Sequence, residues 1–220
     1  MLTVITSVFD DAAIERLRLA AEEVAWLTGR GYALDRVGAL VAAHHGLAPE
    51  HQAALARGTC SEPQYRRRAA RELEAEDIAK RPLSIDAADA LGSIDAALAG
   101  RPVLQTLDGT VRAFDAWTPG PTVDDALARI FAAAKELRPS MLRFLVDEKH
   151  AALEPRIIEA AKKAKAKAEV VKVSELAKAL RKGKQIVTGD ADTLDACAAW
   201  FNLIGRIVEA IPNAKIIRLQ

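Results

Sequence analysis

Aromatic side chains are scarce in this chain, only 5% of 220 residues, although half of the residues are hydrophobic. Ala, Leu, Ile and Val must therefore fill the core, which favours helices and α/β layers over an aromatic-rich sandwich. Only two cysteines occur, Cys60 and Cys197, far apart and without His or Cys at metal-ligand spacing. That excludes a disulfide scaffold and points to buried thiols in a reducing compartment. No apolar run reaches the roughly 18–20 residues that span a bilayer. Residues 1–9 lack the basic flank of a signal peptide and meet Asp10-Asp11 early. A formal net charge of +1 excludes a strong global pull toward nucleic acid or membrane. There is no internal repeat and no low-complexity linker. These absences leave a cytoplasmic globular protein without membrane association, built as one large or two modest domains.

What is present divides at Arg81-Pro82. Before it, residues 2–8 read as a short strand or an apolar arm. Asp10 caps a helix with an apolar face at Ile14, Leu17, Ala21, Val24 and Ala25, stopped by Gly29-Arg-Gly31. Residues 34–45 and 49–57 follow as helices closed by Gly46 and Gly58, the latter with Pro49 in its first turn. This outline resembles a helix-turn-helix unit and also many small bundles. His44 and His45, adjacent at a helix end, read as residues suited to the negative pole of the helix dipole. Residues 63–80 read as one charged helix bearing Arg66, Arg67, Arg68 and Arg71. Residues 10–81 hold 11 Lys/Arg against 12 Asp/Glu, so this half is not basic overall.

After the division, short apolar runs alternate with helical stretches of about 10–17 residues, the pattern of a mostly parallel α/β sheet in three layers. Strands are expected at residues 83–86, 141–146, 169–173, 185–187 and 214–219, with helices at 87–99, 122–137, 153–167, 174–182 and 196–211. Residues 103–107 and 110–114 flank Asp108-Gly109, a strong hairpin signal. The expected organisation is a small all-α domain over 1–81 and a three-layer, mostly parallel α/β domain over 82–220.

The chemistry concentrates where strands end. Asp86, Asp147 and the pair Asp190/Asp192 each follow an apolar strand, and Asp89 and Asp195 stand three residues after Asp86 and Asp192. Parallel neighbours would gather these carboxylates at the carboxyl edge of the sheet, where open α/β folds bind ligands. Gathered carboxylates repel unless a cation neutralises them. A hard divalent ion, Mg²⁺ or Mn²⁺, fits oxygen ligands and a phosphate substrate. The plain alternative is that Asp190 or Asp192 only caps a helix.

Residues 83–89 (Leu-Ser-Ile-Asp-Ala-Ala-Asp) and 187–192 (Val-Thr-Gly-Asp-Ala-Asp) and the order of strands resemble the PIN/NYN-like nuclease superfamily. The whole chain resembles uncharacterised, mainly archaeal proteins that join a small helical domain to such a nuclease domain. The matching stretches are residues 40–60 with the arginines after them, 85–115, and 188–209 with Trp200-Phe-Asn202. The resemblance implies a metal-dependent ribonuclease with Asp86, Asp147, Asp190 and Asp192 at the acidic catalytic positions. It implies metal ligands among Asp86, Asp89, Asp190, Asp192 and Asp195. The chain departs from the pattern at Ala87 and Asp89, where relatives tend to carry Gly and Asn, and at Glu148-Lys-His150, where Arg-Pro is usual.

Residues 162–184 hold nine Lys/Arg against two Glu. They read either as a solvated face or as a phosphate track leading to the acidic edge, formed by Lys162, Lys163, Lys165, Lys167 and Lys184 with Arg66, Arg67 and Arg68. RNA is then the expected partner, and the helical domain would position it or hold a protein partner or a second copy. The competing reading is a non-catalytic RNA-binding or adaptor protein on the same fold. A Toprim-like domain ranks last, because it needs Glu where Asp86 stands.

Overall fold

Asp10 opens the first helix, its carboxylate accepting the backbone N–H of Ala13 at 2.7 Å and so satisfying a donor that the helix leaves unpaired. The computed structural model describes residues 9–114, 117–181 and 183–220; the strand or arm expected at residues 2–8 lies outside them. Helices α1 (Asp11–Thr28), α2 (Leu34–His44) and α3 (Pro49–Gly58) keep close to their expected bounds. Leu17, Ala20 and Val24 of α1 pack on Val37 and Val41 of α2 and on Ala54 and Leu55 of α3. Leu104, Ile217 and Leu219 from the other half join the same cluster. Gly58 shows how close that approach is, since a Cβ there would stand 2.3 Å from a Leu219 methyl. The helical and α/β regions therefore share a core.

The charged helix expected over 63–80 is broken into α4 (Glu62–Ala69) and the single turn α5 (Ala75–Ile78). Between them the backbone pairs with Trp200: Leu73 N–H donates to the Trp200 carbonyl at 2.8 Å, and Trp200 N–H donates to Arg71 at 3.0 Å. Trp200 is fully buried. Its burial outweighs the helix propensity of the charged stretch.

The rest of the chain runs β1 (Pro82–Asp86), α6 (Ala87–Leu98), β2 (Val103–Gln105), β3 (Val111–Ala113), α7 (Val123–Leu137), β4 (Met141–Asp147), α8 (Leu153–Ala164), β5 (Ala168–Val173), α9 (Leu176–Arg181), β6 (Ile186–Val187), α10 (Ala191–Ala196), α11 (Leu203–Glu209) and β7 (Ile216–Arg218). Strands β5-β4-β1-β6 form one sheet in that order, every pair parallel. Side chains alternate between its faces. Phe144, Val146 and Val187 join the large cluster with α6, α7, α8 and α11, whereas Leu145 and Ile186 pack with Leu180 and Leu194 of α9 and α10. The α/β layering expected from the sequence is present.

Two expectations are corrected. The hairpin and the last strand stand in a separate three-stranded sheet, β3-β2-β7, with β2 antiparallel to β3 and parallel to β7. That small sheet has two cores to cover: Val103 and Val111 face the large cluster, while Leu104 and Ile217 face the helical one. Gly109 takes a positive φ of 81° in the hairpin turn, as the Asp-Gly signal requires. The helix expected over 196–211 is interrupted at residues 197–202, where Trp200 and Phe201 run beside Ile186 as an extension of the sheet.

Candidate functional site

Because β4, β1 and β6 are parallel neighbours, Asp86, Asp147 and Thr188-Gly189-Asp190 all leave the same edge of the sheet. The chain turns around at β1, with β4 and β5 on one side and β6 on the other. Such a switch point opens a crevice beside the central strand. Here the crevice is a cleft of about 980 Å³ whose lining includes Asp86, Asp89, Asp190 and Asp192. Its opposite wall comes from the helical region, with Thr28, Tyr32, Arg57, Gln64 and Arg67.

Asp86 is buried at the end of β1 and caps α6, accepting the Asp89 N–H at 3.2 Å. Asp89, one turn into that helix, accepts the backbone N–H of Gly189. The Thr188 hydroxyl lies 3.3 Å from Asp86 Oδ2 and 3.4 Å from Asp89 Oδ2, so its single proton serves one carboxylate at a time. Thr188 Oγ1 accepts the Asp190 N–H at 3.1 Å, and Asp190 caps α10 by accepting Thr193 N–H at 2.8 Å. A side chain at Gly189 would crowd this corner, since a Cβ would meet Asp89 Oδ2 at 3.2 Å and Arg112 at 3.1 Å. Burial, together with the neighbouring Asp89 charge, pushes the Asp86 carboxyl up to about 8. Burial also raises Asp89, opposed in part by the Gly189 N–H and by Arg112. Without a cation both carboxyls therefore hold a proton more tightly than a free carboxyl does.

The remaining expected residues scatter. Asp192 stands exposed on the first turn of α10, at the cleft rim. Asp147 is on the right edge but not in the cleft lining. Its carboxylate accepts the His150 N–H at 3.0 Å and lies 2.6 Å from His150 Nδ1, and the His150 ring stacks on Trp117. Asp195, expected as a metal ligand, is taken by Arg68, with Nε and Nη2 each 2.8 Å from its two oxygens, and by Gln64 at 2.8 Å. Those bonds hold its carboxyl below the usual range against the effect of burial.

Arg68 is thereby corrected from a nucleic-acid contact to an internal clamp. It is buried, it also bonds Asp108, and it ties α4 to α10 and to the β2–β3 turn. Arg66 is exposed and paired with Glu62 on its own helix. Among the arginines proposed for RNA, Arg67 alone is half-exposed on the cleft. The lysines correct the expected track as well. Lys162, Lys163, Lys165 and Lys167 lie where α8 ends and β5 begins, and Lys184 lies just before β6. That is the amino edge of the sheet. Strands of five to seven residues separate it from the carboxylates by about 15–20 Å at ~3.3 Å per residue.

Sequence reasoning overlooked the hydrogen-bond roles of Thr188, Gly189 and Arg112, although the first two stand in the quoted motif. It read Asp108 only as a turn residue. That carboxylate accepts from Arg68, Arg112, Thr106 and Thr110, and these partners hold it ionised despite burial. Both cysteines are buried and free, and burial pushes the Cys60 thiol up to about 11. No helix among the described residues is long and apolar enough to cross a membrane.

Residues 16–71 match the model of a family described as a protein of unknown function (DUF434), and residues 75–206 match one described as a domain of unknown function (DUF5616). No curated protein and no solved structure matches the chain. The cleft draws Arg67 from the first matched segment and its four carboxylates from the second. Since the second match spans more than half of the 220 residues, the chain belongs to the DUF5616 family.

Proposed function

We propose that this protein is a Mg²⁺- or Mn²⁺-dependent ribonuclease of PIN/NYN-like type, which hydrolyses phosphodiesters at the acidic cleft. The Asp86–Asp89 pair, with Asp86 buried and Asp89 partly buried, carries the reading, because it opens with Asp190 and Asp192 into one cleft. Among the described residues no lysine or arginine is ion-paired to any of the four. Arg112, the nearby cation, is bonded to Asp108 and to the Arg57 carbonyl. The donor set is all oxygen, the preference of a hard divalent ion. Asp86, Asp89 and Asp190 would hold it, and a bound ion supplies positive charge for phosphate oxygens and for acidifying a water. Thr188 and the Gly189 N–H fix the carboxylates in place. Arg67 draws the substrate backbone toward the rim, and exposed Tyr32 offers a stacking face for a base.

The test is cleavage of single-stranded RNA by purified protein with Mn²⁺. Asp86→Asn and Asp190→Asn preserve volume but reduce ligand charge, so each should abolish cleavage while the protein still folds. Cleavage persisting in both variants would sink the assignment. A second reading, a non-catalytic RNA-binding adaptor, is favoured by Asp147 being held by His150 outside the cleft lining. RNA bound by wild type, without cleavage in Mg²⁺ or Mn²⁺, would establish it instead.

A further inference from the structure

A second group of metal-ligating side chains lies away from the cleft, between α1 and the end of α2. We propose that Glu23, His44 and His45 form a site for a borderline divalent transition ion of the zinc class, which fastens α1 to α2. Neighbouring residues on a regular helix point about 100° apart, and on that ground His44 and His45 would not share a ligand. The helix, however, ends at His44. His45 adopts φ −84° and ψ 2° outside it, and the two rings meet edge to face with centroids 5.1 Å apart. One ligand atom from each histidine and a Glu23 oxygen all lie within 4.8 Å of one another.

The details favour a metal over a simple ion pair. His45 Nε2 is buried and sits 3.1 Å from Glu23 Oε1, yet the contact lacks hydrogen-bond alignment, leaving that nitrogen without a hydrogen-bond partner. A separation near 3.1 Å suits two donors on one ion, because a tetrahedron with bonds of ~2.0–2.1 Å places neighbouring donors about 3.3 Å apart. Glu23 and His44 are exposed, so each can rotate the remaining distance without disturbing packing. Two imidazoles and a carboxylate select Zn²⁺, Ni²⁺ or Cu²⁺ over Mg²⁺. The negative end of the α2 dipole adds to the attraction. Three protein ligands leave a fourth position to water, which makes the ion exchangeable. This site is distinct from the acidic cleft: Leu34, which lines the cleft, begins α2, about 15 Å from His44 along the helix at ~1.5 Å per residue.

The experiment uses metal-stripped full-length protein titrated with Zn²⁺ against a chromophoric chelator, with thermal unfolding followed in parallel. Wild type should bind one equivalent at this site and melt at a higher temperature as Zn²⁺ rises. Removing groups that merely orient a ligand costs ~10–100-fold in metal affinity, so His44→Ala, His45→Ala and Glu23→Gln should each weaken binding by at least about tenfold. Asp86→Asn should leave this equivalent intact, whichever way the cleft assignment falls. Absence of saturable Zn²⁺ binding overturns the proposal, as does binding that survives in the His44→Ala/His45→Ala double variant. Loss of the equivalent in Asp86→Asn would assign the ion to the cleft and overturn it equally.

Discussion

The two edges of the parallel sheet are built in opposite ways. At the carboxyl edge, four carboxylates line a cleft walled by the helical region and braced by buried ion pairs. A groove between α7 and α8, which reaches the amino edge at Lys163, Lys165 and Lys167, carries six basic and two acidic side chains. Its ion pair near that edge, Lys163–Glu159, is exposed. Buried charge demands defined partners, because desolvation penalises every unmet group. Exposed charge is met by water and leaves its side chains free. The acidic edge is therefore a fixed geometry, and the basic edge is an adaptable electrostatic surface.

Matched truncations of one basic residue at each edge test this contrast most forcefully. Arg68→Ala leaves Asp108 and Asp195 without their shared guanidinium, and breaking a buried pair in this way costs about 3–5 kcal/mol. Arg68→Lys should recover little, since one ammonium cannot serve Asp195 through two parallel bonds while reaching Asp108. Lys163→Ala, which breaks the exposed pair with Glu159, should cost less than about 1 kcal/mol, the range for exposed pairs. Chemical denaturation of the three variants measures the difference. Equal losses for Arg68→Ala and Lys163→Ala would erase the distinction between the edges.

The next test separates their roles toward RNA. Replacing Lys162, Lys163, Lys165 and Lys167 with Gln should weaken RNA binding and reduce its salt dependence by up to about three units of log–log slope, at ~0.7 per phosphate contact on single strands. The rate of cleavage at saturating RNA should stay unchanged, because these lysines stand at the far end of the strands. Arg67→Gln, on the cleft itself, should act mainly on KM. If the lysine variant binds with wild-type affinity and salt slope, the amino edge is only a solubilising surface.

Why one edge was legible in the sequence and the other was misread follows from range. Apolar runs ending in Asp86 and Asp190, followed by helical periodicity, are local patterns, and parallel alternation brought them together as expected. Asp147 obeys the same local rule and Asp195 stands one turn beyond the second motif, yet their fates depend on His150 and on Arg68, 127 positions away from Asp195. No spacing in the sequence announces such pairings. The lysines were placed correctly on their elements but assigned to the wrong end, because a cluster at a helix C-terminus belongs to the amino edge of the next parallel strand. Trp200 misled twice: its buried backbone pairing broke two segments whose own periodicity was helical.

The smallest expected effect is a dependence of stability on pH that arises only at the acidic edge. Asp86 is held up to about 8 by burial and by Asp89, whereas an unfolded Asp titrates near ~3.9. A raised carboxyl stabilises the folded protein fully below the unfolded value, and that contribution drains away as pH rises toward 8. Metal-free wild type should thus melt several degrees lower at pH 8.5 than at pH 5. Asp108 and Asp195 are shifted downward. Their stabilisation is present above the ordinary carboxylate range and is lost only as pH falls below it, so they do not interfere in this window. The comparison is made between variants, so that ionisations common to both cancel. Asp86→Asn removes the raised group and should flatten the slope, whereas the four-lysine variant should keep it. Mn²⁺ should restore wild-type melting at pH 8.5, because a bound ion offsets the charge these carboxyls gain as pH rises. Parallel melting curves for wild type and Asp86→Asn across this range would show that the pair is not coupled as its burial requires.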